Sequence, residues 1–195
     1  HQDSISLLNM NTLEQKSVYE INNTFQISSL FYDNKGEVLW IGTSTDGLFY
    51  LDMKKKSLLP FSDFPKQPIG VITESSDSTL LVGIDGQGVW ELDKDKKTVL
   101  NILKEDIDNP FSLRGDGVYD IYCDGKQRVW VATYTGGLSF FDWKSPLINQ
   151  ITHQVNNPNS LGNDNVNKIL EDSKGDIWFA TNNGISRWRV ATNEW

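Results

Sequence analysis

Short apolar runs punctuated by glycine, asparagine and aspartate set the rhythm of this chain. Four of them are alike: Leu39-Trp40-Ile41-Gly42-Thr43, Leu80-Leu81-Val82-Gly83-Ile84, Val129-Trp130-Val131-Ala132-Thr133 and Ile177-Trp178-Phe179-Ala180-Thr181. Each is followed by a glycine and a second apolar run, at Gly47-Leu48-Phe49-Tyr50, Gly88-Val89-Trp90-Glu91, Gly137-Leu138-Ser139-Phe140 and Gly184-Ile185-Ser186-Arg187. Upstream of each lies another apolar segment closed by a polar turn. These are Ile27 to Tyr32 before Asp33-Asn34-Lys35-Gly36, and Ile69 to Thr73 before Glu74-Ser75-Ser76-Asp77. The other two are Val118 to Cys123 before Asp124-Gly125-Lys126, and Val166 to Leu170 before Glu171-Asp172-Ser173-Lys174-Gly175. β-Branched and aromatic residues in runs this short, bounded by turn formers, predict strands rather than helices.

Measured at Trp40, Leu81, Trp130 and Trp178, the unit recurs after 41, 49 and 48 residues. Each unit reads as strand, turn, strand, glycine turn, strand, charged turn, outer strand. Four strands in that span is the period of a β-propeller blade. The expected fold is therefore all-β, a β-propeller of four-stranded antiparallel blades with about four blades present. Blade boundaries fall near 1–22 (third and outer strands only), 23–64, 65–108, 109–156 and 157–195. Trp40, Trp130 and Trp178 recur in register on the second strand and are expected to fill the space between blades. Copy two departs, with Leu81 for tryptophan and Ile84 for threonine, which puts its packing in question. Ile5 to Met10 aligns with Leu48 to Met53, so the chain starts at a third strand. A ring cut this way could be part of a larger ring, pair with a second copy into eight blades, or close alone with Val18 to Ile21 completing the last blade.

Charge narrows the function classes. With 18 Lys+Arg against 26 Asp+Glu the formal net charge is −8, which disfavours binding to a phosphate backbone, so no nucleic-acid partner is expected. A lone cysteine, Cys123, forms neither an internal disulfide nor a paired-cysteine zinc site. His1 and His153 are too few for a Ser-His-Asp triad or a histidine metal site, so no metal or cofactor is expected. Gly86-Gln87-Gly88 is too short for a phosphate loop. Asp172 to Asp176 has the look of half a calcium loop, but Asp33 and Asp124 occupy the same slot, and tight turns explain the repetition. Carboxylates for glycoside hydrolysis are plentiful, whereas only four arginines occur, and with Arg128 beside an anchor and Arg187 and Arg189 on a third strand, besides Arg114, a convergent sialidase-like cluster is hard to build.

Asn109-Pro110-Phe111-Ser112-Leu113 and Asn157-Pro158-Asn159-Ser160-Leu161 precede the last two units. Asn-Pro-x-Ser-Leu, an apolar strand, Asp-x-x-Gly-x-Ile-Trp-x-x-Thr and then Gly-Ile or Gly-Leu together resemble the two-component regulator propeller repeat. Val166 to Ile185 matches it best. The resemblance implies part of the periplasmic sensor region of a hybrid two-component regulator from Bacteroides-type bacteria, anchored in the inner membrane and preceding a histidine kinase. It implies a non-catalytic fragment with an oligosaccharide ligand, signalling through rearrangement against an adjacent propeller domain or a second protomer. A carbohydrate-active hydrolase or lyase and a protein-interaction scaffold are the alternatives.

Propeller ligands usually bind where loops converge at one end. Here those are the turns between second and third strands and the loops leading into each first strand. Tyr134, an aromatic residue in such a turn, suits stacking on a sugar ring, while Asp85, Arg114, Asp116 and Asn182 could bond its hydroxyls or an acidic group. Trp90, Trp143, Trp188 and Trp195 share no register and are further ligand or partner candidates. The lysine turns at the opposite end are expected to be solvated.

Overall fold

The computed structural model describes residues 3–21, 25–76, 78–124, 128–142 and 145–195. His1, Asp77, Gly125, Lys126 and Trp143, which enter the sequence argument, lie outside the described residues. No helix occurs among those described. A hairpin comes first, β1 (Asp3–Leu8) with β2 (Gln15–Ile21). Three complete four-stranded sheets follow. They are β3 (Ile27–Asp33), β4 (Val38–Thr43), β5 (Leu48–Asp52) and β6 (Ser57–Pro60); then β7 (Ile69–Ser76), β8 (Thr79–Ile84), β9 (Gly88–Asp93) and β10 (Thr98–Leu103); then β11 (Val118–Cys123), β12 (Arg128–Thr133), β13 (Gly137–Asp142) and β14 (Ser145–Ile151). The last sheet has three strands, β15 (Val166–Glu171), β16 (Ile177–Thr181) and β17 (Gly184–Trp188). Every sheet is an antiparallel meander in chain order, as the blade reading requires.

First strands of neighbouring sheets lie against one another and so line the inside of the curved array. Between sheets, the residue at the anchor position of each second strand is sunk into the next sheet. Trp40 is fully buried against Ile69, Ile72 and Leu80, and Trp130 against Val166, Ile169 and Phe179. Leu81 is fully buried in the same slot against Val118 and Ile121, so copy two keeps the packing with a smaller side chain. Trp188 and Trp195 join the core around Trp130 and Phe179, and Trp90 packs on Phe64 with its indole N–H donating to the Gln87 carbonyl (3.2 Å). These three are partly buried and packed against the core.

The recurring turn aspartates have a mechanical task. Asp124 Oδ2 accepts the Trp130 indole N–H (3.0 Å) while its Oδ1 accepts the Arg128 amide (3.0 Å). Asp172 does the same for Trp178 (2.8 Å) and the Asp176 amide (3.1 Å). In the first sheet Asp33 faces a different neighbour: Lys94, 2% exposed, pairs with Asp33 (3.4 Å) and Glu74. The buried Trp40 indole nitrogen has no hydrogen-bond partner, and Lys97 Nζ lies over the ring face instead (4.4 Å). Burial opposes the Lys94 charge, yet the two carboxylates outweigh it and hold the ammonium above the ordinary lysine range. Solvation of the lysine turns therefore holds for Asp95 and Lys96 but not for Lys94 and Lys97: these two side chains of one sheet reach over the tryptophan of the previous one and its turn.

The array does not close on itself. Val18 to Ile21 belongs to β2, which pairs with β1, and this hairpin packs Ile5 and Tyr19 on Leu39, Ile41 and Leu51 of the first complete sheet. It does not complete the last sheet. Leu48, Val89 and Leu138, which open the third strand of the complete sheets, are at most 1% exposed, whereas the equivalent Ile185 is 74% exposed. With Ile169, Leu170, Trp178 and Ala180 it borders an open apolar groove of about 480 Å³. The two in-register tryptophans thus differ in cover. Trp130→Ala should cost ~3–5 kcal/mol of unfolding free energy, the range for a buried large aromatic, and Trp178→Ala about 1–2 kcal/mol. Urea denaturation of both variants measures the difference, and equal losses would mean that the last face is covered in solution.

Candidate functional site

The site starts from a fault in the strand pairing. Near the start of all four first strands one residue is left over where the ladder slips: Ser28, Gly70, Tyr119 and Asn167; β7 slips a second time at Ser75, towards its other end. A bulge of this kind turns its side chain out of the pleat, a device common beside functional sites. Each bulge residue sits next to the start of the turn between second and third strands of its own sheet. The pairings are seen directly at Tyr119, whose ring centroid lies 5.6 Å from that of Tyr134 at 58°, and at Asn167, whose Nδ2 donates to Asn182 Oδ1 (2.9 Å).

The recurring threonine and glycine hold these turns. Thr133 Oγ1 donates to the Gly137 carbonyl (3.2 Å) and accepts the Gly136 amide (3.2 Å). Thr43 makes the same pair with Gly47 and Asp46, and Thr181 with Gly184 and Asn183. Gly137 has φ 73°, and a Cβ there would stand 2.7 Å from the Ile151 carbonyl, so no other residue fits without displacing the outer strand. Tyr134 is consequently presented from a braced turn, 53% exposed, with its amide donating to the Gly117 carbonyl (2.9 Å).

Asp85 comes to the same place from the neighbouring sheet. A Cβ on Gly117 would lie 3.4 Å from both Asp85 Oδ1 and Tyr134 Cβ, so the missing side chain at Gly117 leaves the gap between carboxylate and ring open. Gly70 brings its backbone against Tyr119, its Cβ position 3.7 Å from the Tyr119 Cα. Burial raises the Tyr119 phenol above its ordinary value, and the nearby Tyr134 and Asp85 push the same way. Two tyrosines and an exposed carboxylate thus meet across the junction of the second and third complete sheets.

The other expected residues go elsewhere. Arg114 is exposed on the far side of the 134–136 turn, where it borders a polar cavity of about 350 Å³ with Glu105, Asp106, Gln150 and Asp164. Asp116 is spent on the scaffold: its Oδ1 accepts the Glu105 amide (2.7 Å) and its carbonyl the Gly88 amide (3.0 Å). Asn182 belongs to the last sheet, with Asn167. Tyr119 was not among the expected residues, although buried residues three apart, Val118 and Ile121, signal an extra residue in that strand. His153 is tied into its loop, Nδ1 lying 2.7 Å from the Leu161 carbonyl.

Charge distinguishes the two ends of the strands. The loops 44–47, 61–68, 85–87, 104–117, 134–136, 152–165 and 182–183, all at the Tyr134 end, carry eight carboxylates against Lys66, Lys104 and Arg114. Most of the net negative charge of the chain is therefore at this end.

Fold and site together define a β-propeller segment built of four-stranded blades with a polar, aromatic-bearing inner mouth. Residues 112–135 and 160–183 match the model of the two component regulator propeller family. "Histidine kinase P4" of Formosa agariphila is 27% identical over 108 residues, 51% of this chain and 8% of that protein, so the chain corresponds to a small part of that relative. Among solved structures, the extracellular domain of a putative hybrid two component system from B. thetaiotaomicron superposes with a TM-score of 0.55 at 19% identity, covering 95% of this chain and 30% of that one. A second such domain from the same organism gives 0.55 at 16%, covering 98% and 32%. The WD40 β-propeller domain of Doa1 gives 0.65 at 11%, covering 88% and 53%. At these identities the structural likeness concerns the fold.

Cys123, at the end of β11, is the one thiol and belongs to the packing around Val118 and Ile121. Burial, and then the Asp124 charge, push it up to about 11. At pH 8 only about 0.1% is then thiolate, the reactive form. Cys123 should react with a dithiobis-benzoate reagent orders of magnitude more slowly than free cysteine, and at the ordinary rate once the protein is unfolded in urea. Rapid labelling of the native protein would show that the thiol is not enclosed.

Proposed function

We propose that this chain is a non-catalytic recognition segment of an extracytoplasmic sensor in a hybrid two-component regulator, and that its ligand is an oligosaccharide held at the inner mouth. The observation that carries the reading is the Tyr119–Tyr134 pair facing the exposed Asp85 carboxylate. A pyranose offers one face of apolar C–H bonds and a rim of hydroxyls, which fits an aromatic face beside a free acceptor. The kinase relative and the extracellular domains of similar fold agree with a sensor role and with a location outside the cytoplasm. The parent protein is then a sensor histidine kinase spanning the inner membrane, with this segment in the periplasm.

The open groove at Trp178 and Ile185 favours a second task, contact with an adjacent propeller domain or a second protomer. Signalling follows if ligand binding and that contact favour the same arrangement, because a ligand shifts an equilibrium only by its differential affinity for the two states.

A thermal-shift screen with neutral and acidic oligosaccharides tests the reading. A bound ligand at a hundred times its Kd should add about 2.7 kcal/mol to apparent stability. Tyr134→Ala should weaken that ligand ~5–100-fold, the range for losing an aromatic stacking partner, with an unchanged melting temperature in its absence. New reducing ends on incubation would replace the sensor by a hydrolase. Unchanged affinity in Tyr134→Ala would move the site elsewhere.

A further inference from the structure

We infer that the inner mouth selects uncharged saccharides and turns away those bearing carboxylate or sulfate groups. This rests on the oligosaccharide reading above and adds the charge class of the ligand. The tyrosine pair supplies apolar ring faces without charge, and the polar group set against it is a carboxylate. Asp85 is exposed, its side chain is next to Tyr134, and a neighbouring glycine leaves the space between them open. An ionised Asp85 accepts two hydroxyl protons from a neutral sugar, but it meets a uronate or sulfate as a like charge.

The basic side chains at this end do not reverse that sign. Lys104 Nζ donates to Gln87 Oε1 (2.8 Å), beside Asp85 in the same turn, and is followed directly by Glu105. Arg114 stands beyond the 134–136 turn in a cavity it shares with Glu105, Asp106 and Asp164. Eight carboxylates against three basic groups across these loops keep the mouth negative beyond the reach of Asp85 alone. Lys66, exposed on the loop that enters β7, is the third cation, and the carboxylates of these loops outnumber all three.

The size of the effect follows from Coulomb's law. One like charge ~6 Å away, in a medium midway between water and protein interior, lowers affinity roughly tenfold. It is largely screened in about 1 M salt, where the Debye length is ~3 Å.

The experiment uses matched ligands. Cello-, laminari-, manno- and galacto-tetraose are tested by calorimetry alongside the same oligosaccharides selectively oxidised at C6 to uronates, in 20 mM and 1 M sodium chloride. The inference expects at least one neutral member to bind, and its oxidised form to bind about tenfold or more weakly at low salt. High salt should narrow the gap to about twofold, and Asp85→Asn at low salt should narrow it in part. An oxidised form that binds as well as or better than its neutral parent overturns the charge selection and leaves the oligosaccharide reading standing. A gap that survives both high salt and Asp85→Asn assigns the discrimination to shape and also overturns it. Binding of neither form in any pair removes the oligosaccharide reading and this inference with it.

Discussion

Burial of one side chain per sheet in the face of the next sheet holds this molecule together. A single four-stranded meander has two faces and no core of its own, so it is stable only when stacked. The anchor position supplies the contact: Trp40, Leu81 and Trp130 are each fully buried by residues of the following first and second strands. The indole adds a polar obligation, because its N–H must find an acceptor once it is buried. Asp124 and Asp172 meet it from the preceding turn. Where Lys94 draws Asp33 into a buried ion pair, the Trp40 nitrogen goes without, and Lys97 over the ring supplies a different attraction. The same slot is thus filled in three ways: indole with carboxylate, indole with cation, and leucine.

The repeat made most of the fold readable. Strand positions, the meander and the inter-blade role of the anchors follow from apolar runs with turn formers at fixed offsets, and the turn aspartates and threonines prove to be the braces of those turns. What the sequence left hidden was registry. A strand that buries Val118 and Ile121 on one face breaks the two-residue alternation and must contain an extra residue between them. The same spacing of three recurs at Ile69 and Ile72 and at Val166 and Ile169. Reading the alternation alone gives Tyr119 no special place, and so the partner of Tyr134 goes unnoticed. Lys94 was misjudged for a related reason: a lysine-rich turn reads as solvated unless one knows which indole and which carboxylates lie above it.

The candidate site was legible in part. Tyr134 and Asp85 could be named because both occupy the same turn in different units, and the propeller topology brings those turns together. Arg114 and Asp116 belong to a long loop whose path no local pattern specifies. Its course is set by the Gly136 position, where a Cβ would stand 2.2 Å from the Arg114 carbonyl, and by the Asp116 bonds to Glu105 and Gly88. Those contacts fix the loop backbone against the 134–136 turn, where Arg114 borders the polar cavity.

The bulge positions explain how one scaffold can carry a variable mouth. Ser28, Gly70, Tyr119 and Asn167 differ in size and chemistry, and none of them is buried. The bracing threonines stand at the slip itself and the anchors three residues further along the ladder, and these carry the stability. Asp85 and the tyrosines also come from different sheets, so a ligand that engages both spans the junction where Leu81 is buried against Val118. Packed interfaces of this kind repack between discrete arrangements rather than deform smoothly. On the proposed reading, occupancy of the mouth would act on the relation between two sheets, the same relation that the buried anchors set.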